Sequence, residues 1–117
     1  LNSTIASSIA HPHPPKGDQV LKILRESGGS AVKVSDEEIL KAQKLLAERQ
    51  GAFVEPASAA TLAALIKLKD QEIEREKITL VLTESGLKDT KSAMKTFKEP
   101  IRVDSWSEFE EVLNKRF

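Results

Sequence analysis

Ile78-Thr79-Leu80-Val81-Leu82, running into Thr83-Glu84-Ser85-Gly86, is the stretch on which the fold class turns. A continuous aliphatic run without polar alternation reads as a parallel strand covered on both faces, and a tight turn closes it at Gly86. Immediately upstream, Ala57 to Lys69 reads as a helix whose early turns are nearly all small or apolar, the pattern of a helix buried on more than one side. Ala52-Phe53-Val54 is a short extended piece leading into Glu55-Pro56. Before it, Ser35-Asp36-Glu37-Glu38 has the form of a capping box, in which Ser35 accepts from the third amide and Glu38 reaches back. The helix it opens is expected to run to about Gln50, with Ile39, Ala42, Leu45 and Leu46 on one stripe and Gly51 as its stop.

Further out the same alternation continues. Ala31 to Val34 is expected as a brief strand, and Asp18 to Glu26 as a short amphipathic helix ended by Gly28-Gly29. His11-Pro12-His13-Pro14-Pro15 breaks any regular element, because proline removes backbone donors and forces an extended path. Leu1 to Ala10 is apolar and rich in small residues. Downstream, Lys88 to Lys98 reads as loop or frayed helix, Ile101-Arg102-Val103 as an edge strand, and Ser105 as the cap of a last helix carrying Trp106, Phe109, Val112 and Leu113. Alternating strands and helices predict an α/β fold, a partial parallel sheet flanked by helices.

Composition narrows the function classes. The 117 residues carry 18 Lys plus Arg and 18 Asp plus Glu, a formal net charge of zero that gives no electrostatic case for nucleic acid or an anionic membrane. Four Phe, one Trp and no Tyr do not make a base-stacking platform. The absence of cysteine excludes disulfides, thiol catalysis and thiolate-ligated metals. Apolar runs are far shorter than a membrane span, so a soluble cytoplasmic protein is expected. The chain opens at Leu1 on sequence that already reads as ordered, which points to a cut from something longer.

Ligands of open α/β sheets bind beyond the carboxyl ends of the strands, which singles out Thr83, Glu84 and Ser85. A hydroxyl there donates to a ligand in a dry crevice, or merely satisfies the turn's own backbone. Residue chemistry alone favours the second role for Thr83. Glu55, before Pro56 and a buried Ala-rich helix, is either a functional carboxylate or an acceptor for the free amides at that helix's N-terminus, and the second role is expected. His11 and His13 lack the further ligands that a zinc site needs, so no metal is expected. The charged stretch from Lys67 to Lys77 mixes both signs and reads as solvated surface. Neither a glycine-rich phosphate loop nor a Ser-His-Asp set is present.

Three stretches together say more. The segment ILRESGGSAVKVSDEEILKAQKLLAERQGAFVEPASAATLAALIKL, then VLTESGLKD, closely resembles the C-terminal portion of threonine synthases, and TIASSIA resembles the segment that precedes it there and in related fold-type II pyridoxal-phosphate (PLP) enzymes. The resemblance covers roughly Thr4 to Asp89. It implies a divided chain: 1–89 as the C-terminal portion of a PLP-binding catalytic domain, and 90–117 as a tail with a terminal helix.

The activity implied is a lyase that converts O-phospho-L-homoserine and water to L-threonine and phosphate, with PLP as electron sink. By resemblance, Thr83 hydrogen-bonds the cofactor's pyridine nitrogen, and Ile5, Ala6 and Glu84 lie beside the cofactor. Glu84 stands where the family usually has glycine, and a carboxylate there would repel an anionic substrate. The Schiff-base lysine, the asparagine on the PLP hydroxyl and the phosphate loop belong upstream in the family, so this segment is expected to hold no catalytic residue and to be inactive alone. Former interfaces left exposed would drive association, which leaves a homo-oligomer open. The competing expectations are a stand-alone, non-catalytic binding or assembly module derived from this fold, and a segment of a related PLP-dependent amino-acid lyase.

Overall fold

In the computed structural model, residues 4–69, 77–97 and 99–116 are described. The best-formed element follows directly from its first residue. Ser35 sits in extended backbone and its side chain accepts from the Glu38 amide at 3.2 Å, while the Glu38 carboxylate accepts from the Ser35 amide at 2.6 Å. This reciprocal cap starts helix α2, Asp36–Gln50, and Gly51 ends it in the left-handed conformation (φ 65°) that glycine adopts without a Cβ penalty. Pro56 then occupies the first turn of α3, Pro56–Lys67, where its missing N–H costs nothing.

Between them lie five residues, so α2 and α3 fold back on one another as an antiparallel pair, the main packing contact among the described residues. Lys67, at the end of α3, closes the other end of the pair: its ammonium lies 3.3 Å from the Glu38 carboxylate and donates to the Lys33 carbonyl at 2.9 Å. The core between them is built from Ile39, Ala42 and Leu46 on α2, Ala59 and Ala63 on α3, with Val54 and Ala6 at one end. Three of these side chains are helix alanines, and their small size lets the helix axes approach closely.

The buried stripe of α2 differs from the expected one in an informative way. Gln43, fully buried, takes the place foreseen for Leu45, which is 39% exposed. Its amide nitrogen donates to the Val54 carbonyl at 2.7 Å and so ties α2 to the segment entering α3.

Other elements are lightly attached. Helix α1, Gly17–Ser27, buries none of its residues, and Val20, Leu21 and Ile23 are each at least half exposed. A 3-10 turn at Gly86–Asp89 runs into the short helix α4, Thr90–Ala93, which packs against α2 and buries Ser92 and Ala93. Helix α5, Trp106–Arg116, starts at Ser105, whose hydroxyl accepts from the Glu108 amide as expected, and exposes Trp106.

The expected strands are not formed. Segments 31–34, 52–54, 78–82 and 101–103 carry no strand, and among the described residues β pairing is a single antiparallel bridge between Val54 and Ser85. A strand exists only by hydrogen bonding to a neighbour, and among the described residues none is paired with 78–82. Its apolar side chains accordingly face solvent: Val81 is 65% exposed. The radius of gyration, 18.7 Å, exceeds the roughly 13 Å of a compact domain of this length. Of the regions read from sequence, 1–3, Lys98 and the 70–76 part of the charged stretch lie outside the described residues.

The α2 cap makes the fold acid-sensitive in a stated direction. The Ser35 amide, then Lys67, hold the Glu38 carboxyl below its ordinary value of 4.5, and Lys41 does the same for Glu37. A carboxyl depressed on folding contributes stability that is present above its unfolded value and is lost as pH falls through its folded value. Thermal stability is therefore expected to hold from neutral pH down to about 4.5 and to fall below it, less steeply in Glu38→Gln; melting curves from pH 7 to 3 measure this.

Candidate functional site

The polar centre of the structure lies where the first turn of α3 meets residues 83–86. Ser58, 1% exposed, is in that turn, and its hydroxyl oxygen accepts from the Thr83 amide at 2.9 Å and the Glu84 amide at 3.2 Å. The same oxygen lies 2.9 Å from the Thr83 hydroxyl. A helix side chain thus takes over the two amides that a neighbouring strand would serve in a sheet.

Backbone pairing fixes the rest of the turn. Glu55 N donates to the Glu84 carbonyl and Gly86 N to the Phe53 carbonyl, both at 3.0 Å. Glycine is required at 86, since a Cβ there would stand 2.7 Å from the Phe53 ring. That ring is held edge-on against Phe97.

Glu55 behaves differently from the expected helix cap. It occupies the N-cap position of α3, yet its carboxylate makes no capping hydrogen bond. Instead it is 6% exposed, accepts from the Ser8 hydroxyl at 2.8 Å, and lies 3.5 Å from the Thr83 hydroxyl. Pro56 offers no N–H to the carboxylate, and Ser8 and Thr83 offer hydroxyls on the other side.

Ser8 belongs to the second segment of the site. Residues 4–6 are clamped to the start of α2 by Asp36, whose carboxylate accepts from the Thr4 hydroxyl at 2.6 Å and from the Ile5 amide at 3.2 Å. Ala6 is then driven into the core, 2% exposed, and a 3-10 turn at Ser7–Ile9 carries Ser8 to Glu55. A cavity of about 200 Å³ opens between this segment, the start of α3 and the Lys88–Asp89 turn, with Ile5, Ser8, Glu55 and Lys88 among its walls. Thr83 is not one of those walls.

Of the positions singled out from sequence, Thr83 and Glu84 are joined through Ser58, while Ile5 and Ala6 are linked to them through Ser8 and Glu55. The Glu84 carboxylate is occupied within its own turn, by the Ser85 amide at 3.2 Å and the Lys88 ammonium at 3.6 Å. His11 and His13 are exposed. Three polar residues that hold the site together went unremarked in the sequence: Ser58, Ser8 and Asp36. The helical spacing Glu55–Ser58, one turn apart and next to small residues, was the available signal for the first. The other two depend on contacts 31 to 47 residues apart, and no local pattern announces them.

A helix-borne serine that serves two turn amides and a turn threonine beside it make up the polar centre of the described residues. The model of the family described as pyridoxal-phosphate dependent enzymes matches residues 1–84, and the chain belongs to that family. Among curated proteins it is similar to the threonine synthase of Methanocaldococcus jannaschii, 44% identical over 103 residues, and to that of Methanosarcina acetivorans, 43% identical over 104. The threonine synthase of Mycobacterium tuberculosis is 39% identical over 105 residues. These alignments span 86%, 87% and 86% of this chain, and so run past Asp89, but 25%, 26% and 29% of the respective relatives. The chain thus spans about a quarter of the length of the relatives it matches.

Two substitutions test this geometry. Gly86→Ala is expected to cost about 1–3 kcal/mol by overpacking against Phe53, with most of the loss recovered in Gly86→Ala/Phe53→Leu; urea denaturation of both chains gives the comparison. Asp36→Ala removes two charge-assisted bonds and is expected to cost about 2 kcal/mol. It should also speed hydrogen exchange at the Ile5 and Ala6 amides specifically; unchanged exchange there would show that Asp36 is not the clamp.

Proposed function

We propose that this chain is a C-terminal segment of a threonine synthase, a PLP-dependent lyase that converts O-phospho-L-homoserine and water to L-threonine and phosphate. Similarity to threonine synthases over most of the chain supports the assignment, and the Thr83–Ser58 arrangement carries the site reading. In this reading residues 1–89 are the C-terminal portion of the catalytic domain and 90–117 its tail. The segment 78–82 becomes a strand when paired with strands from the rest of the enzyme, which would cover Val81 and complete the α/β sheet.

The residues present fit one end of the cofactor. The ring nitrogen of pyridoxal phosphate, when unprotonated, accepts a hydrogen bond, and Thr83 presents an exposed hydroxyl whose nearest carboxylate, at 3.5 Å, is a poor competitor for its hydrogen. When bound, the cofactor supplies an electron sink for the loss of phosphate and the addition of water. Thr83 orients the ring, and a neutral donor there leaves the nitrogen unprotonated. Of the two residues taken from sequence to lie beside the cofactor, Ile5 lines the cavity next to Glu55, whereas Ala6 is packed in the core and would not meet the ring.

Glu84 bears on the anionic substrate. Its carboxylate accepts from the Ser85 amide and lies 3.6 Å from the Lys88 ammonium, an exposed pair that offsets only part of the repulsion foreseen from sequence. The lysine that holds the cofactor covalently and the groups that hold its phosphate are assigned to the upstream part of the enzyme. Isolated, the segment is expected to be inactive.

The decisive experiment adds the cofactor and O-phospho-L-homoserine to two proteins, the 117-residue chain and the chain extended by the sequence encoded in frame upstream. Phosphate and threonine release is expected from the extended chain alone, falling at least tenfold in Thr83→Val. Specific cofactor binding by the 117 residues alone, or an extended chain without activity on this substrate, would overturn the assignment.

A further inference from the structure

Hydrogen counting around Ser58 reaches beyond the contact between Thr83 and the ring. A serine hydroxyl has one hydrogen to donate and two lone pairs with which to accept. Both lone pairs of Ser58 Oγ are taken, by the Thr83 amide at 2.9 Å and the Glu84 amide at 3.2 Å. An amide can only donate, so neither assignment can be reversed. The 2.9 Å contact between Ser58 Oγ and Thr83 Oγ1 then has one allowed direction: Ser58 donates and Thr83 accepts. Ser58 is 1% exposed, so solvent does not compete for its hydrogen.

The hydrogen of Thr83 must therefore point elsewhere. Within the described residues the acceptor in reach is the Glu55 carboxylate at 3.5 Å, well beyond the roughly 2.5–3.0 Å of an effective O–H···O bond. Glu55 is itself engaged by Ser8 at 2.8 Å. Thr83 is an exposed residue, and its hydrogen is left without a short acceptor among the described residues.

We propose that Ser58 is a positioning residue that, by donating to Thr83, turns the Thr83 hydrogen away from itself and leaves it for the unprotonated ring nitrogen of the cofactor. The inference rests on the reading of Thr83 as the ring contact. It adds the residue that sets where the Thr83 hydrogen can point. Ser58, 1% exposed, acts through Thr83 by occupying one lone pair of the threonine oxygen. Without the Ser58 hydroxyl, the Thr83 hydroxyl loses that anchor and is free to rotate, so its hydrogen is directed at the ring for less of the time.

The ring nitrogen itself is the probe. The chain extended by its upstream sequence is loaded with pyridoxal phosphate labelled with nitrogen-15 in the ring, and the ring resonance is followed from pH 6 to 9 in the unsubstituted protein, Ser58→Ala and Thr83→Val. The unsubstituted protein is expected to show a hydrogen-bonded, unprotonated nitrogen throughout. Thr83→Val should abolish the hydrogen-bond shift, and Ser58→Ala should lose a substantial part of it although Thr83 is intact. A protonated nitrogen in the unsubstituted protein, or a Ser58→Ala resonance identical with it while Thr83→Val moves, would overturn the role of Ser58. If Thr83→Val also leaves the resonance unmoved, the ring contact itself is wrong and the inference goes with it. Should Ser58→Ala fail to fold, neutron diffraction on the unsubstituted protein decides: deuterium on Ser58 Oγ directed at Thr83 supports the proposal, and deuterium on Thr83 directed at Ser58 overturns it.

Discussion

The close approach of α2 and α3 sets the position of every group in the site. Ala42, Ala59 and Ala63 leave room for the two backbones to come together, and Ile39, Leu46 and Val54 fill what remains. Burying these side chains contributes about 25 cal/mol per Å² of apolar surface, which is modest for alanines, so the contact depends on added polar fastenings. Gln43 supplies one inside the core, and Lys67 with Glu38 supplies one at the far end. Once the pair is fixed, the first turn of α3 is fixed, and with it Glu55 and Ser58. The same alanines that make the helix look featureless in sequence are what bring its two polar residues to a defined place.

Residues 4–9 and 83–89 are then positioned as guests on that pair. Each is held by side chains rather than by a ladder: Asp36 and Glu55 hold the first, Ser58 the second. Gly86 lets the second segment pass under the Phe53 ring. Asp89, its carboxyl held below the usual 3.8 by the Ser92 hydroxyl and amide, turns the chain into α4 and returns it to α2. Residues beyond Asp89 thus help to pack the element that carries the site.

Helix structure was legible in the sequence because its determinants are local. Ser35, Glu38 and Gly51 mark the limits of α2, Gly28 ends α1 and Ser105 starts α5, all within a few residues of the element they bound. Strands depend on more than local sequence. The run from Ile78 to Leu82 has strand composition, but pairing is a property of two segments, and among the described residues no second segment is paired with it. The motif around Thr83 drew attention to this turn, first as the end of an aliphatic run and then through resemblance. Its chemistry was hidden, because the direction of a hydroxyl hydrogen depends on Ser58, 25 residues away. Glu55 was misread as a cap for a related reason: local sequence shows the helix end it precedes, not the Ser8 hydroxyl 47 residues distant.

The way Thr83 is anchored also explains how one wall of a site can be shaped before its sheet is complete. In a sheet the amides of residues 83 and 84 would be served by a neighbouring strand, and without that strand a turn of this kind loses its geometry. Here a buried serine serves both amides, and the carbonyls of Phe53 and Glu84 are paired across the same turn. The cost of ordering residues 83–86 is therefore met by contacts inside the segment. On the proposed reading, strands from the rest of the enzyme that paired with 78–82 would cover Val81 and Leu82 without having to build the Thr83 turn. The exposed apolar faces of 78–82 and α1 mark where such docking would bury surface, while the polar centre at Ser58 is already enclosed.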